Sequence, residues 1–187
     1  MKSIPKQLLN VGCGPRGQHH RVPGFAGWQE TRLDPDVVGS MTDMSALASA
    51  SMDAIVSSHN IEHLSPHQVP LALAEFRRVL KEDGIVVITC PDLQSVAARV
   101  AVGELVTPLY QSPAGKDYMA HRCGFTLQVL IDTLHAAGFP RATGMARAET
   151  FDLWVLASKH YCSDEKLLAM ATDRHFNRIN PSMQRNG

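Results

Sequence analysis

Leu8-Leu9-Asn10-Val11-Gly12-Cys13-Gly14 (LLNVGCG, residues 8–14) is a short apolar run, interrupted by one Asn, that breaks into glycines. A run of this length without regular polar alternation fits a strand buried on both faces. The glycines after it fit a turn where a ligand approaches the backbone and a Cβ would collide. Gln7 to Val11 is therefore expected to be the first strand, with a binding loop at its carboxyl end.

Outward from this strand, short apolar runs alternate with helical patterns, the mark of a parallel sheet with helices on its faces. Thr31 to Leu33, closed by Asp34-Pro35, reads as a second strand and Val37-Val38 to Met41 as a third. Asp53 to Ser57 reads as the fourth and Gly84 to Thr89 as the fifth. Val69, Leu73, Phe76 and Leu80 recur at helical spacing, so a helix is expected from about Pro66 to Leu80. Lys81-Glu82-Asp83-Gly84 then turns the chain into the fifth strand. Further helices are expected over Leu93 to Val102 and over Leu127 to Ala137, the latter with Thr126 as N-cap and Gly138 as stop. Ala142 to Ala148 and Leu153 to Ser158 fit a closing hairpin. The expected fold is a doubly wound, Rossmann-like α/β sheet of seven strands, mostly parallel, with an antiparallel final pair and helices on both faces.

At 187 residues with 44% hydrophobic content the chain has material for one good core. Residues 1–160 are read as the folded domain. Residues 161–187, a short helix from Glu165 to Phe176 and a loose tail, are read as an appendage and a candidate dimer contact. Eighteen basic residues balance eighteen acidic ones, which argues against a nucleic-acid or acidic-membrane partner. Cys13, Cys90, Cys123 and Cys162 form no C-x-x-C pair and read as free thiols. The chain shows no leader pattern and nothing near the roughly 18–20 apolar residues of a membrane span. A cytoplasmic location is expected.

Gly12-Cys13-Gly14-Pro15-Arg16-Gly17 matches G-x-G-x-x-G, and Asp34 follows the second glycine by 20 residues. An acid there can accept both hydroxyls of an adenosine ribose, which suits a nicotinamide dinucleotide or S-adenosylmethionine. A dinucleotide needs a helix aimed at its pyrophosphate from the third glycine. Here Pro23-Gly24 stops any helix within about two turns, which favours the phosphate-free cofactor.

Over residues 7–159 the sequence resembles the class I S-adenosylmethionine-dependent methyltransferases, in particular their type 11 group. The likeness rests on LLNVGCG, RLDPD, SMTDMSAL, DAIVSSHNIEHL, EFRRVLKEDGIVVITCPDL and YMAHRCGFT, in that order. It implies that Gly12, Cys13 and Gly14 pass beneath the methionine and ribose of the cofactor. Asp34 would hold the ribose hydroxyls, Asp43 the adenine amino group, and Met44 would pack on the ring. Ser58 and His59 would line the cofactor where the fourth strand ends. Asn10 stands where the group often has an acid, and can hydrogen-bond to the cofactor's ammonium without neutralising it. Arg16 replaces a glycine of the family loop, and only Lys116-Asp117 separate two segments where a longer lid is expected. The implied reaction moves a methyl group to an O, N or C nucleophile on a small molecule.

His59-Asn60-Ile61-Glu62-His63 also spells H-x-x-E-H, which on a helix would place two histidines on a zinc ion and a glutamate beside its water. Such a zinc hydrolase, with Glu75 as a third ligand, is the rival reading. A domain that binds the cofactor without catalysis is another. Because Ile55 to Ser58 leads into His59 as a strand, no metal site is expected. His59, Glu62, His63 and His121 are instead taken as catalytic candidates in the acceptor pocket. A structural role at the strand–helix junction is the alternative for His63.

Overall fold

The structure is a computed structural model that describes residues 7–12, 26–29, 37–103, 120–147 and 149–173. Its strands are β1 (Leu8–Val11), β2 (Ala26–Gln29), β3 (Val37–Val38), β4 (Met52–Ser58), β5 (Leu80–Pro91), β6 (Arg141–Arg147) and β7 (Asp152–Ser158). Its helices are α1 (Val69–Val79), α2 (Leu93–Ala101), α3 (Leu127–Ala136) and α4 (Asp164–Asp173). The sheet runs β3-β2-β1-β4-β5-β7-β6. β1 pairs in parallel with both β2 and β4, and β7 runs antiparallel between β5 and β6. From β1 the chain proceeds to one side of the sheet and from β4 to the other. The carboxyl ends of β1 and β4 therefore flank the point where the winding reverses, where open α/β sheets bind their ligands.

Strict burial explains the central strands. Leu8 to Val11 are all buried, as are Ala54 to Ser57 and Ile85 to Cys90. Alternate side chains feed two cores. Leu9, Val11, Ile55, Val86 and Ile88 pack with Leu73, Phe76 and Val79 of α1 and with Leu130 and Leu134 of α3. Leu8, Ala54, Val56, Ile85 and Val87 face the other way and meet Leu167 and Ala171 of α4. The helix read as the start of an appendage thus closes one face of the sheet. Thr126 accepts the amide of Val129 as N-cap of α3, and Gly138 adopts φ +89° just past its end.

Several boundaries differ from expectation. The second strand is Ala26–Gln29, upstream of Thr31 to Leu33, which lie outside the described residues. The third stops at Val38, because Ser40 bridges Asp43 across a turn before Met41 can extend it. The expected helix from Pro66 begins as a 3₁₀ turn, Pro66–Gln68, and becomes α-helical at Val69. Lys81 to Gly84 are part of β5. The register slips between Met52↔Leu80 and Ala54↔Ile85, so the turn signal is spent on a bulge. There a Cβ on Gly84 would lie 2.8 Å from the Lys81 carbonyl oxygen.

Cys90, Cys123 and Cys162 are free thiols. No helix among the described residues is long and apolar enough to cross a membrane.

Candidate cofactor and acceptor site

At the reversal point β1 ends in Gly12, whose φ of +68° is a left-handed turn. A Cβ there would stand 1.7 Å from Oδ1 of Asn60. The Asn60 side chain donates from Nδ2 to the carbonyls of Val11 (2.7 Å) and Ser58 (2.9 Å), tying the exits of β1 and β4 together. The glycine demanded by the sequence therefore makes room for a neighbouring side chain of the same chain. Asn10, one of the expected cofactor residues, is buried within β1, and Cys13, Gly14 and Asp34 lie outside the described residues.

Asp43 is exposed at the same edge of the sheet. Hydrogen bonding from Ser45 holds its carboxyl below the ordinary value, and the Ser45 amide donates to Oδ1 at 3.1 Å. Met44 beside it is fully buried in the core. Its amide donates to Glu75 Oε2 (2.7 Å) and its carbonyl accepts from Arg78 (2.8 Å). Glu75 and Arg78 also pair with each other at 2.7 Å. α1 thus fixes the loop that carries Asp43. Glu75, a conceivable third zinc ligand from sequence, is committed to this network.

Where β4 ends, Ser58 accepts a hydrogen bond from Thr89 of β5 (3.0 Å). His59 follows with φ +52°, and its amide bonds the Thr89 carbonyl. Its imidazole lies between two acids, with Nδ1 3.4 Å from Glu62 and Nε2 3.5 Å from Asp152. The Glu62 carboxylate holds the imidazole above its ordinary pKa against the opposing effect of burial, and Asp152 adds to the rise. Glu62 itself is 1% exposed, and neither of its carboxylate oxygens receives a hydrogen bond.

The chain from Ala120 to Thr126 is stitched onto this corner. Arg122 and Cys123 donate their amides to the Glu62 carbonyl (2.8 and 3.2 Å), and Leu93 donates to Phe125 (2.9 Å). The stitching brings His121 to His63, with ring centroids 5.1 Å apart at an interplanar angle of 63°. Burial lowers the His121 pKa, and Glu62 opposes that effect. A cavity of about 240 Å³ opens beside them, lined by Glu62, Pro91, Leu93, Val96, His121 and Cys123 among others. All four catalytic candidates, His59, Glu62, His63 and His121, meet at this corner.

The helical H-x-x-E-H arrangement does not form. His59 is at a strand end and only Ile61–His63 make a 3₁₀ turn, so the register that would stack His59 over His63 is absent. Sequence reasoning missed Asn60 and Asp152. Asn60 had a positional signal, since an amide just past a strand end can satisfy free carbonyls. Asp152 had none, because only the β5–β7 pairing carries it to His59.

Residues 9–88 match the family model of the methyltransferase domain, Methyltransf_11. Solved methyltransferases share the fold of this chain. One from Thermotoga maritima, described as a possible histamine N-methyltransferase, is 17% identical with a TM-score of 0.61 and covers 82% of each chain. An S-adenosylmethionine-dependent methyltransferase from Archaeoglobus fulgidus is 16% identical with a TM-score of 0.56, covering 82% of this chain and 86% of its own. PigF, solved with S-adenosylhomocysteine, is 15% identical with a TM-score of 0.53, covering 83% of this chain and 56% of its own. No curated protein matches the chain in sequence. At the carboxyl ends of the strands the described groups are polar: Ser58 and His59 after β4, Asn60 across to β1, and the exposed Asp43 in the loop after β3.

Proposed function

We propose that this chain is an S-adenosylmethionine-dependent methyltransferase that transfers the methyl group to an oxygen, nitrogen or carbon nucleophile on a small molecule. The observation that carries this reading is the meeting of His59, Glu62, His63 and His121 at the carboxyl end of β4, beside the reversal point and a cavity of about 240 Å³. On this reading Gly12, Cys13, Gly14 and Asp34 hold the methionine and ribose. Asp43 receives the adenine amino group, with Met44 behind it, Asn10 lies beneath the methionine end, and Ser58 and His59 border the sulfur. When bound, the cofactor supplies an electrophilic methyl on a sulfonium. The work left to the chain is to hold the acceptor in line with that methyl and away from water. His59, braced between Glu62 and Asp152, and His121 at the cavity wall are the groups placed to do so. Balanced charge and the small cavity favour a free cytoplasmic metabolite over nucleic acid.

Calorimetry of the full chain with S-adenosylmethionine and with S-adenosylhomocysteine tests the cofactor half. Binding of both is expected, and weaker binding in Asp34→Ala. No binding of either by folded protein overturns the reading. A broad acceptor panel tests the other half, and cofactor binding without any turnover would favour a non-catalytic binding domain.

A further inference from the structure

We propose that Glu62, His63 and His121 form a binding site for a first-row divalent metal ion of the zinc class. Each offers one ligand atom, and these atoms all lie within 4.8 Å of one another. In a tetrahedral site with bonds of about 2.0–2.1 Å, ligand atoms stand about 3.4 Å apart. The three groups close on an ion by small side-chain rotations.

Two independent observations point to a ligand here. The first is Glu62. Its carboxylate is 1% exposed and receives no hydrogen bond at either oxygen. A buried carboxylate in that condition is expensive to hold unless something pairs with it. Nearby His59 reaches only one oxygen, at 3.4 Å. The second is the orientation of His63. Its Nδ1 lies 3.3 Å from the Ala120 carbonyl oxygen. With the proton on Nδ1, this contact leaves the Nε2 lone pair free for a metal, the outer contact that metal-bound histidines commonly make.

The donor set narrows the ion. Two imidazoles and one carboxylate suit zinc and its first-row neighbours, whereas calcium and magnesium prefer oxygen. Three protein ligands leave a coordination position open. Glu62 and His121 both line the cavity, which puts an acceptor bound there within reach of such a position. There the ion would take an oxygen or nitrogen of the methyl acceptor and make its proton easier to lose. This last step rests on the proposed methyl transfer; the metal site itself does not.

The test is titration of the full, chelator-stripped chain with Co(II), read by visible absorption, and then displacement by Zn(II), all without cofactor. One equivalent of Co(II), displaced by one of Zn(II), is expected. Glu62→Gln and His121→Ala should each weaken binding by more than the roughly 10- to 100-fold that follows loss of a mere supporting group. Zn(II) should raise the melting temperature of the parent protein and not of these variants, a readout that a purely structural Glu62 would not move. His67→Ala, at an exposed position just before α1, should bind as the parent does. Absence of stoichiometric binding by the parent, or undiminished binding by folded His121→Ala, overturns the proposal. Separate titration with S-adenosylhomocysteine distinguishes the two readings, since its failure would remove the transferase reading and leave the metal result standing.

Discussion

The amide side chain of Asn60 fills the space beside Gly12, with Oδ1 1.7 Å from where a Cβ would stand. The relationship joins the exits of β1 and β4 through a contact inside the protein, at the point where the winding of the sheet reverses. Gly12→Ala must therefore do two things at once. It places a side chain in a left-handed conformation, at about 1–2 kcal/mol, and it displaces Asn60 from hydrogen bonds worth about 1 kcal/mol each. A loss of roughly 2–4 kcal/mol is expected in urea unfolding. In Gly12→Ala/Asn60→Ala the clash is gone, so the double variant should lose less than the sum of the single ones. Strict additivity would contradict the contact.

The loop that carries Asp43 is held from α1. Glu75→Gln removes the carboxylate that the Met44 amide and Arg78 share, with an expected loss of about 1–2 kcal/mol. The pH dependence has a definite sign. The Arg78 guanidinium beside Glu75 holds its carboxyl below the ordinary range of a glutamate. A depressed folded pKa gives stability that is present above the unfolded value and lost as pH falls through the folded one. Unfolding free energies measured from pH 7 downward should therefore drop less steeply below about pH 4.5 in Glu75→Gln than in the parent. Parallel curves would exclude Glu75 as a contributor.

Much of the fold was legible in these residues because burial and local spacing agreed. β4, β5 and α1 each announced themselves by apolar runs or helical periodicity. β2 did not. Ala26-Gly27-Trp28-Gln29 has little strand character of its own and is defined by its pairing to β1 and β3. The Lys81–Gly84 turn signal was real but was absorbed as a bulge, since β5 had to resume pairing with β4. At the site, the type of each residue was readable and its partners were not. His59, Glu62 and His63 are close in sequence, yet His121 reaches them through the amides of Arg122 and Cys123 on the Glu62 carbonyl, and Asp152 through the pairing of β7 with β5.

Helix α4 offers a separate test of how far the folded unit extends. Leu167 is fully buried against the sheet face formed by Leu8, Val56 and Val87. Leu167→Ala should cost about 2–4 kcal/mol in chemical unfolding, as a truncated core leucine does. Affinity for S-adenosylhomocysteine should stay within twofold of the parent, because the helix covers the sheet away from the α1–α3 core. A change below about 0.5 kcal/mol, the range of ordinary surface positions, would show that α4 is not part of the core.

On the proposed reading Asp43 receives the adenine amino group. Asp43→Ala should weaken S-adenosylhomocysteine by about 10- to 100-fold, the loss of one charge-assisted hydrogen bond, with no change in melting temperature beyond that of an exposed position. Unchanged affinity in calorimetry would remove Asp43 from the site.

A crystal structure with S-adenosylhomocysteine bound addresses the central claim most directly. The account predicts the ligand across the carboxyl ends of β1 and β4, its adenine amino group on the Asp43 carboxylate and its sulfur facing His59 and the cavity beyond. Ligand seated elsewhere, or with its sulfur turned away from the corner formed by His59, Glu62, His63 and His121, would contradict it.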